Sequence, residues 1–199
     1  SDLALTEELV KRGHDVTLFA SGDSITSAKL VSVFPHALRE MRLKDLYGLN
    51  MWTLLNIGKA YEMQEEFDII HDHNGHITMP TANIAKKPTI VTMHGPFTVE
   101  NRHIFQQLKN PGIVTISNSQ AIVKNINNIG MVYNGLDMEN YPFSDQHENY
   151  LLFVGRISME KGVHFAIEVA ISLHMPLIIA AKLEDSDRAY YYQYVEPYL

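Results

Sequence analysis

Cysteine is absent from all 199 residues. That excludes a disulfide framework, a thiolate nucleophile and a cysteine-based zinc site. No stretch reaches the roughly 18 apolar residues of a membrane-spanning helix, and no signal peptide is visible. A cytoplasmic protein fits both absences and is the expectation here. Basic residues are in the minority: 16 Lys and Arg stand against 23 Asp and Glu, a net charge of -7 with His neutral. Such a balance argues against a nucleic-acid partner bound through a basic face. Solenoid-type repeats and low-complexity tracts are also missing. Apolar residues make up 46% and charged residues 20%, the proportions of a folded globular protein. The length admits one large domain, or one domain plus part of a second. The chain opens Ser-Asp-Leu rather than with Met, which leaves room for a preceding piece.

Helix-then-strand alternation runs along most of the chain. Leu3, Thr6, Leu9 and Val10 have helical spacing, Gly13 is placed to end that helix, and Asp15–Ala20 reads as a strand. A helix over Leu46–Glu66 leads into a strand Phe67–His71. Thr78–Ala85 leads into Thr89–Met93, Val99–Leu108 into Ile113–Ile116, and Gln120–Ile126 into Met131–Tyr133. Short strands alternating with helices predict an α/β fold with a parallel sheet. Such sheets hold ligands at the carboxyl ends of their strands. Polar residues gather at those ends: Ser21-Gly22-Asp23, His71 to His76, His94-Gly95-Pro96, Ser117 to Gln120, and Asn134-Gly135-Leu136-Asp137. Ordinary turn chemistry explains such residues as well, for Asn134-Gly135 especially.

A polar, aperiodic stretch, Tyr141–Asn149, marks a boundary. We expect a first domain over 1–145 and the start of a second over 146–199. The second opens on the richest segment of the chain, Tyr150-Leu-Leu-Phe-Val-Gly-Arg-Ile-Ser-Met-Glu-Lys-Gly162. Leu151–Val154 has strand length and should end at Gly155. Arg156 and Lys161 follow, and Gly162 opens an amphipathic helix to about His174. Unpartnered N–H groups and the helix dipole make such a turn an anion site, with Arg as a planar fork and Lys as a mobile charge. A diphosphate suits it; a solvated surface turn is the plainer alternative. A strand Leu177–Ala181 and a last helix from Asp185 complete the region. Its Tyr190, Tyr191, Tyr192, Tyr194 and Tyr198 leave open self-association through an exposed aromatic patch.

The string Phe153-Val-Gly-Arg-Ile-Ser-x-Glu-Lys-Gly162 resembles the opening of the donor half of retaining GT-B glycosyltransferases of family four. Gly13–Phe19, Phe67–His73, Thr92–Gly95 and Val132–Asp137 resemble successive blocks of the same family. The resemblance implies a GT-B fold, with a Rossmann-like acceptor domain followed by an incomplete second Rossmann-like domain. The family's first strand and Gly-rich loop, and its late paired-Glu motif, are not found. Activity of these residues alone is therefore not expected. The implied donor is a nucleotide-diphosphate sugar, and the acceptor a carbohydrate, lipid or small molecule. Arg156, Lys161 and Gly155 would hold the donor diphosphate, and His94 would contact the transferred sugar. His73, Asn74, Gly95 and Asn134 would border the acceptor or sugar side. No cofactor and no catalytic metal are implied.

Two rivals stay open. His71, Asp72, His73 and His76 form a nitrogen- and oxygen-rich set that would suit a metal-dependent hydrolase, although the spacing is not that of a helical His pair. A non-catalytic GT-B-like module binding a sugar nucleotide or a partner is the other. Membrane contact is weighed for Arg39–Lys59, where Arg39, Arg42 and Lys44 adjoin Met51, Trp52, Leu54 and Leu55; a buried helix with a charged entry explains it equally well.

Overall fold

The computed structural model describes residues 2–38, 40–41 and 46–199, apart from the side chains of Asp2, Leu46, Tyr47 and Asn140. Arg39, Arg42 and Lys44, the cations of the weighed membrane segment, lie outside the described residues. The chain divides into two compact units, Ser1–Asp137 and Met138–Leu199.

In the first unit, α1 (Asp2–Lys11) stops where Gly13 takes a φ of +89°. The Gly13 and His14 amides then bond back to the carbonyls of Val10 and Leu9, which closes the helix end. Strand β1 (Thr17–Phe19) pairs in parallel with β2 (Lys29–Val31). Three residues carry too little periodicity for β2 to be legible in the sequence. Next comes α2 (Leu46–Glu62), which ends earlier than expected and gives way to a single tight turn at Gln64–Glu66.

A four-stranded parallel sheet follows in the order β3 (Ile70–Asp72), β4 (Thr89–Met93), β5 (Gly112–Thr115) and β6 (Asn128–Met131). Its crossover helices are α3 (Met79–Asn83), α4 (Val99–Gln107) and α5 (Asn118–Ala121). Strand β4 is buried at four of its five positions, as a central strand rich in β-branched residues should be. Val91 and Met93 meet Ile57 and Tyr61 of α2, Met79 and Ala82 of α3, Phe105 of α4 and Ile113 of β5 in one core. Burial at this scale stabilises by about 1.5–3 kcal/mol per large apolar side chain.

Several boundaries differ from the sequence reading. Strand β3 begins three residues later than the expected Phe67–His71 and ends one later, so Asp72 belongs to it. The helix expected over Gln120–Ile126 closes at Ala121, and Asn125 adopts a left-handed φ of 61°. Asn127 explains the early stop: its side-chain amide donates to the carbonyls of Lys109 and Pro111, holding the backbone away from a helical path. Strand β6 accordingly sits upstream of the expected Met131–Tyr133, with Met131 opposite Thr115.

The second unit is a βαβ with a closing helix. Strand β7 (Leu151–Arg156) pairs in parallel with β8 (Leu177–Lys182), and α6 (Val163–Leu173) joins them. Gly155 does not end the strand: it pairs with Ala181, and Arg156 pairs with Lys182. Helix α7 (Arg188–Tyr194) follows a tight turn at Asp185–Asp187. Ile157, Val163, Ile167 and Val195 form the core, flanked by Phe153, Ile179, Tyr190 and Tyr191. The alternate side chains Leu152, Val154 and Ile178 stay exposed. Tyr192 and Tyr198 are exposed as well, whereas Tyr190 and Tyr191 pack inward.

Candidate functional site

The first unit gathers its polar groups at the carboxyl ends of β3, β4 and β5. His71 and His73 share one face of their strand, as side-chain alternation predicts, with ring centroids 4.4 Å apart. His71 Nε2 lies 2.8 Å from Thr92 Oγ1 on the neighbouring strand. His73 Nδ1 lies 2.8 Å from His94 Nε2, and the two rings stack at 5.2 Å. One of those two nitrogens must donate and the other accept, so one proton lies in the contact between the two rings. His94 itself is exposed at the end of β4.

Asp72 points the other way and is buried. Its Oδ2 accepts from Thr78 Oγ1 at 2.6 Å and from the Tyr61 hydroxyl at 3.3 Å. Its Oδ1 accepts from the Asn74 backbone N–H and side-chain amide, both at 2.8 Å. Burial first, and the nearby Asp72 charge second, push the Tyr61 phenol well above its ordinary range. Asp72 is thus an internal anchor that fixes the turn carrying His73 and Asn74. The metal-hydrolase reading needs Asp72 on the surface beside the histidines, and the fold turns it inward. Among the described residues, no group of three or more His, Asp or Glu is arranged to hold a metal ion.

Gln120, one of the polar residues gathered beyond β5, has a bracing role that its place in the sequence did not reveal. Its Nε2 donates to the carbonyls of Met93 (3.0 Å) and Gly95 (2.7 Å), while its Oε1 accepts from the Ile116 amide at 2.7 Å. One buried amide therefore ties the end of β5 to both sides of His94. The signal available in the sequence was only a polar residue at a helix start, with Ser117 as the cap that accepts from the Gln120 amide. Asn74 is exposed and bonded to Asp72, and Gly95 is half-buried under Gln120. Asn134 lies in an exposed segment beyond β6, and no described contact joins it to the histidines.

The second unit carries the other expected residues. Arg156, at the end of β7, is half-exposed and forms ion pairs with Glu160 and, at 3.8 Å, with Glu184. Lys161 closes the tight turn Met159–Lys161, and Gly162 follows with a φ of +72°, where an added Cβ would meet the Phe165 ring at 3.1 Å. Lys182, the register partner of Arg156, pairs with Glu184 at 3.3 Å. Arg156, Lys182, Glu160 and Glu184 thus form one chain of ion pairs at the ends of β7 and β8, with Lys161 in the turn that follows β7, and the sequence alone does not reveal the part of Lys182, Glu160 and Glu184. The N-terminus of α6 is less open than expected. The His164 amide donates to the Tyr190 hydroxyl at 3.3 Å, and His164 Nδ1 lies 2.6 Å from the same oxygen. Ser158, inside the Arg156–Lys161 turn, is buried, and its hydroxyl has no hydrogen-bond partner among the described residues.

Parallel strands, crossover helices and polar strand ends make this the α/β architecture of a Rossmann-like GT-B glycosyltransferase. The family model described as Glycosyltransferase Family 4 matches residues 3–140, and the chain belongs to that family. The match spans the first unit and ends before β7. No curated protein matches the chain. No helix among the described residues is long and apolar enough to cross a membrane.

Proposed function

We propose that the protein transfers a sugar from a nucleotide-diphosphate sugar to an acceptor hydroxyl with retention of anomeric configuration, in the cytoplasm. The reading rests on one observation above the others: in a family-four chain, a parallel strand ends in Arg156, a tight turn follows, and Lys161 and Lys182 stand beside it. In the reaction the bond from the anomeric carbon to the diphosphate oxygen breaks. The acceptor oxygen bonds to that carbon, and its proton passes to the departing diphosphate. Negative charge grows on the leaving group, and fixed cations placed there lower the barrier without reorganising.

Arg156 would offer two N–H groups to the diphosphate and Lys161 a point charge. Glu160 and Glu184 pair with Arg156, so an incoming diphosphate would exchange one anionic partner for another. Ser158 would supply a hydroxyl already stripped of water. Gly155 keeps the strand end free of a side chain. On the first unit, His94 would hydrogen-bond a sugar hydroxyl, its tautomer set by His73. His73, Asn74 and Gly95 would border the acceptor. Asn134, in the exposed segment beyond β6, would border the same side. No metal or organic cofactor enters the reaction as proposed.

The test is direct. The native protein, given a panel of uridine, guanosine and adenosine diphosphate sugars with mixed acceptors, should release nucleoside diphosphate. The glycoside formed should keep the donor's anomeric configuration by proton NMR. An inverted product would end the retaining claim, and no turnover by the complete native protein with any donor would end the transferase claim.

A further inference from the structure

A groove opens on the first unit between α4 and the segment from α5 onward, with a volume of about 530 Å³. That is within the roughly 300–1,000 Å³ of small-molecule sites. Phe97, Arg102, Gln106, Ser119, Ile122 and Lys124 line it, together with Gln120. Two cations and no carboxylate are among the lining residues. Among the described residues neither Arg102 nor Lys124 is in an ion pair, although acidic residues outnumber basic ones in the chain by 23 to 16. Most other cations of this unit are already neutralised: Lys11, Arg12, Lys29, Lys59, Lys86 and Lys87 all have carboxylate partners.

The frame around these cations is fixed. Asn101 completes a capping box with Thr98 and donates from its side chain to the Pro96 carbonyl at 3.0 Å. Gln106 Nε2 donates to the Lys124 carbonyl at 3.2 Å, clamping α4 to the opposite wall. Phe97 is seated edge-on against Phe105 at 5.0 Å, which leaves an apolar wall facing Ile122. Gln120 lines the groove and also bonds the carbonyls on either side of His94. The groove is therefore built on the same brace that positions the candidate sugar-contacting histidine.

We infer that this groove is the acceptor subsite and that its acceptor is a phosphorylated sugar or polyol. The phosphate would lie between Arg102 and Lys124, with Ser119 and Gln106 as neutral donors and the carbon skeleton against Phe97 and Ile122. A planar Arg fork and a Lys suit a dianionic phosphate, and an apolar wall suits the carbon face of a sugar ring. The acceptor role rests on the transferase reading; the binding does not.

Calorimetric titration of the native protein with glucose 6-phosphate and glycerol 3-phosphate, without donor, tests it. At least one should bind saturably, and glucose should not. Arg102→Gln and Lys124→Gln should each weaken that binding about tenfold or more, while Lys86→Gln, a cation outside the groove, should leave it unchanged. Failure of both phosphates to bind, equal binding by glucose, or insensitivity to both groove variants would overturn the assignment. Inorganic phosphate binding as tightly as either ester would identify a free-phosphate site and overturn the acceptor role. Because the readout is binding alone, none of these results bears on whether Arg156 and Lys161 serve a donor.

Discussion

Replacing Asp72 separates an internal anchor from a surface ligand. The carboxylate is 7% exposed, and the hydroxyl-bearing residues on its Oδ2, Tyr61 and Thr78, are 5% and 0% exposed. In Asp72→Ala both hydroxyls lose their acceptor where water cannot replace it. Each buried orphan costs about 1–3 kcal/mol. Tyr61 and Thr78 can still bond one another, since their oxygens lie 3.5 Å apart, which removes part of that cost. The two Asn74 donors are exposed and turn to water at little expense. The expected loss is about 3–4 kcal/mol. Asp72→Asn keeps Oδ1 for Asn74 and sets an amide against two hydroxyls that can rotate to accept, so about 1 kcal/mol is expected. Urea unfolding of both variants beside the parent protein measures the difference. An Ala variant within 1 kcal/mol of the parent on that ~3–4 kcal/mol expectation, or an Asn variant as damaged as the Ala one, would refute the anchor.

Three further outcomes follow from named contacts. Gln120→Leu removes three hydrogen bonds around His94 and should cost about 2–4 kcal/mol in urea unfolding, with sugar transfer falling further than donor binding; unchanged transfer would detach His94 from the reaction. The raised Tyr61 phenol predicts an alkaline limit. Above about pH 10 the unfolded chain loses that proton while the folded one retains it, so stability falls as pH rises, by up to about 1.4 kcal/mol per pH unit. Tyr61→Phe should flatten this slope in pH-dependent unfolding, and an unaltered slope would contradict the burial argument. Glu160→Gln frees the Arg156 fork from a competing carboxylate and should tighten nucleoside diphosphate binding several-fold by titration; weaker binding would mean Glu160 positions Arg156 rather than competing for it.

Much of this architecture was legible in the residues because the relevant physics is local. Thr89–Met93 reads as a strand from its β-branched, apolar run, and the stop at Gly13 from the glycine's left-handed freedom. Where the pattern failed, distant contacts decided. Asn127 ended α5 by bonding carbonyls of the β5 approach, and no helical period in Gln120–Ile126 could reveal that. Strand β3 runs one residue past the expected end because Asp72 found the buried hydroxyls of Tyr61 and Thr78. The proposed site residues divide in the same way. Arg156 and Lys161 announce themselves by charge in a strand-turn-helix string. Lys182 acquires meaning only from the parallel register that sets it opposite Arg156, and Gln120 only from carbonyls on a different strand.

The most direct test of the central claim is the rate of nucleoside diphosphate release from nucleotide sugar by the native enzyme and by Arg156→Ala and Lys161→Ala. Fixed cations on a departing diphosphate predict a loss of about 10²-fold or more in each variant, with circular dichroism and urea stability near the parent, since Lys161 is exposed and Arg156 half-exposed. Rates near the parent's in both variants would place the donor diphosphate elsewhere and contradict the account.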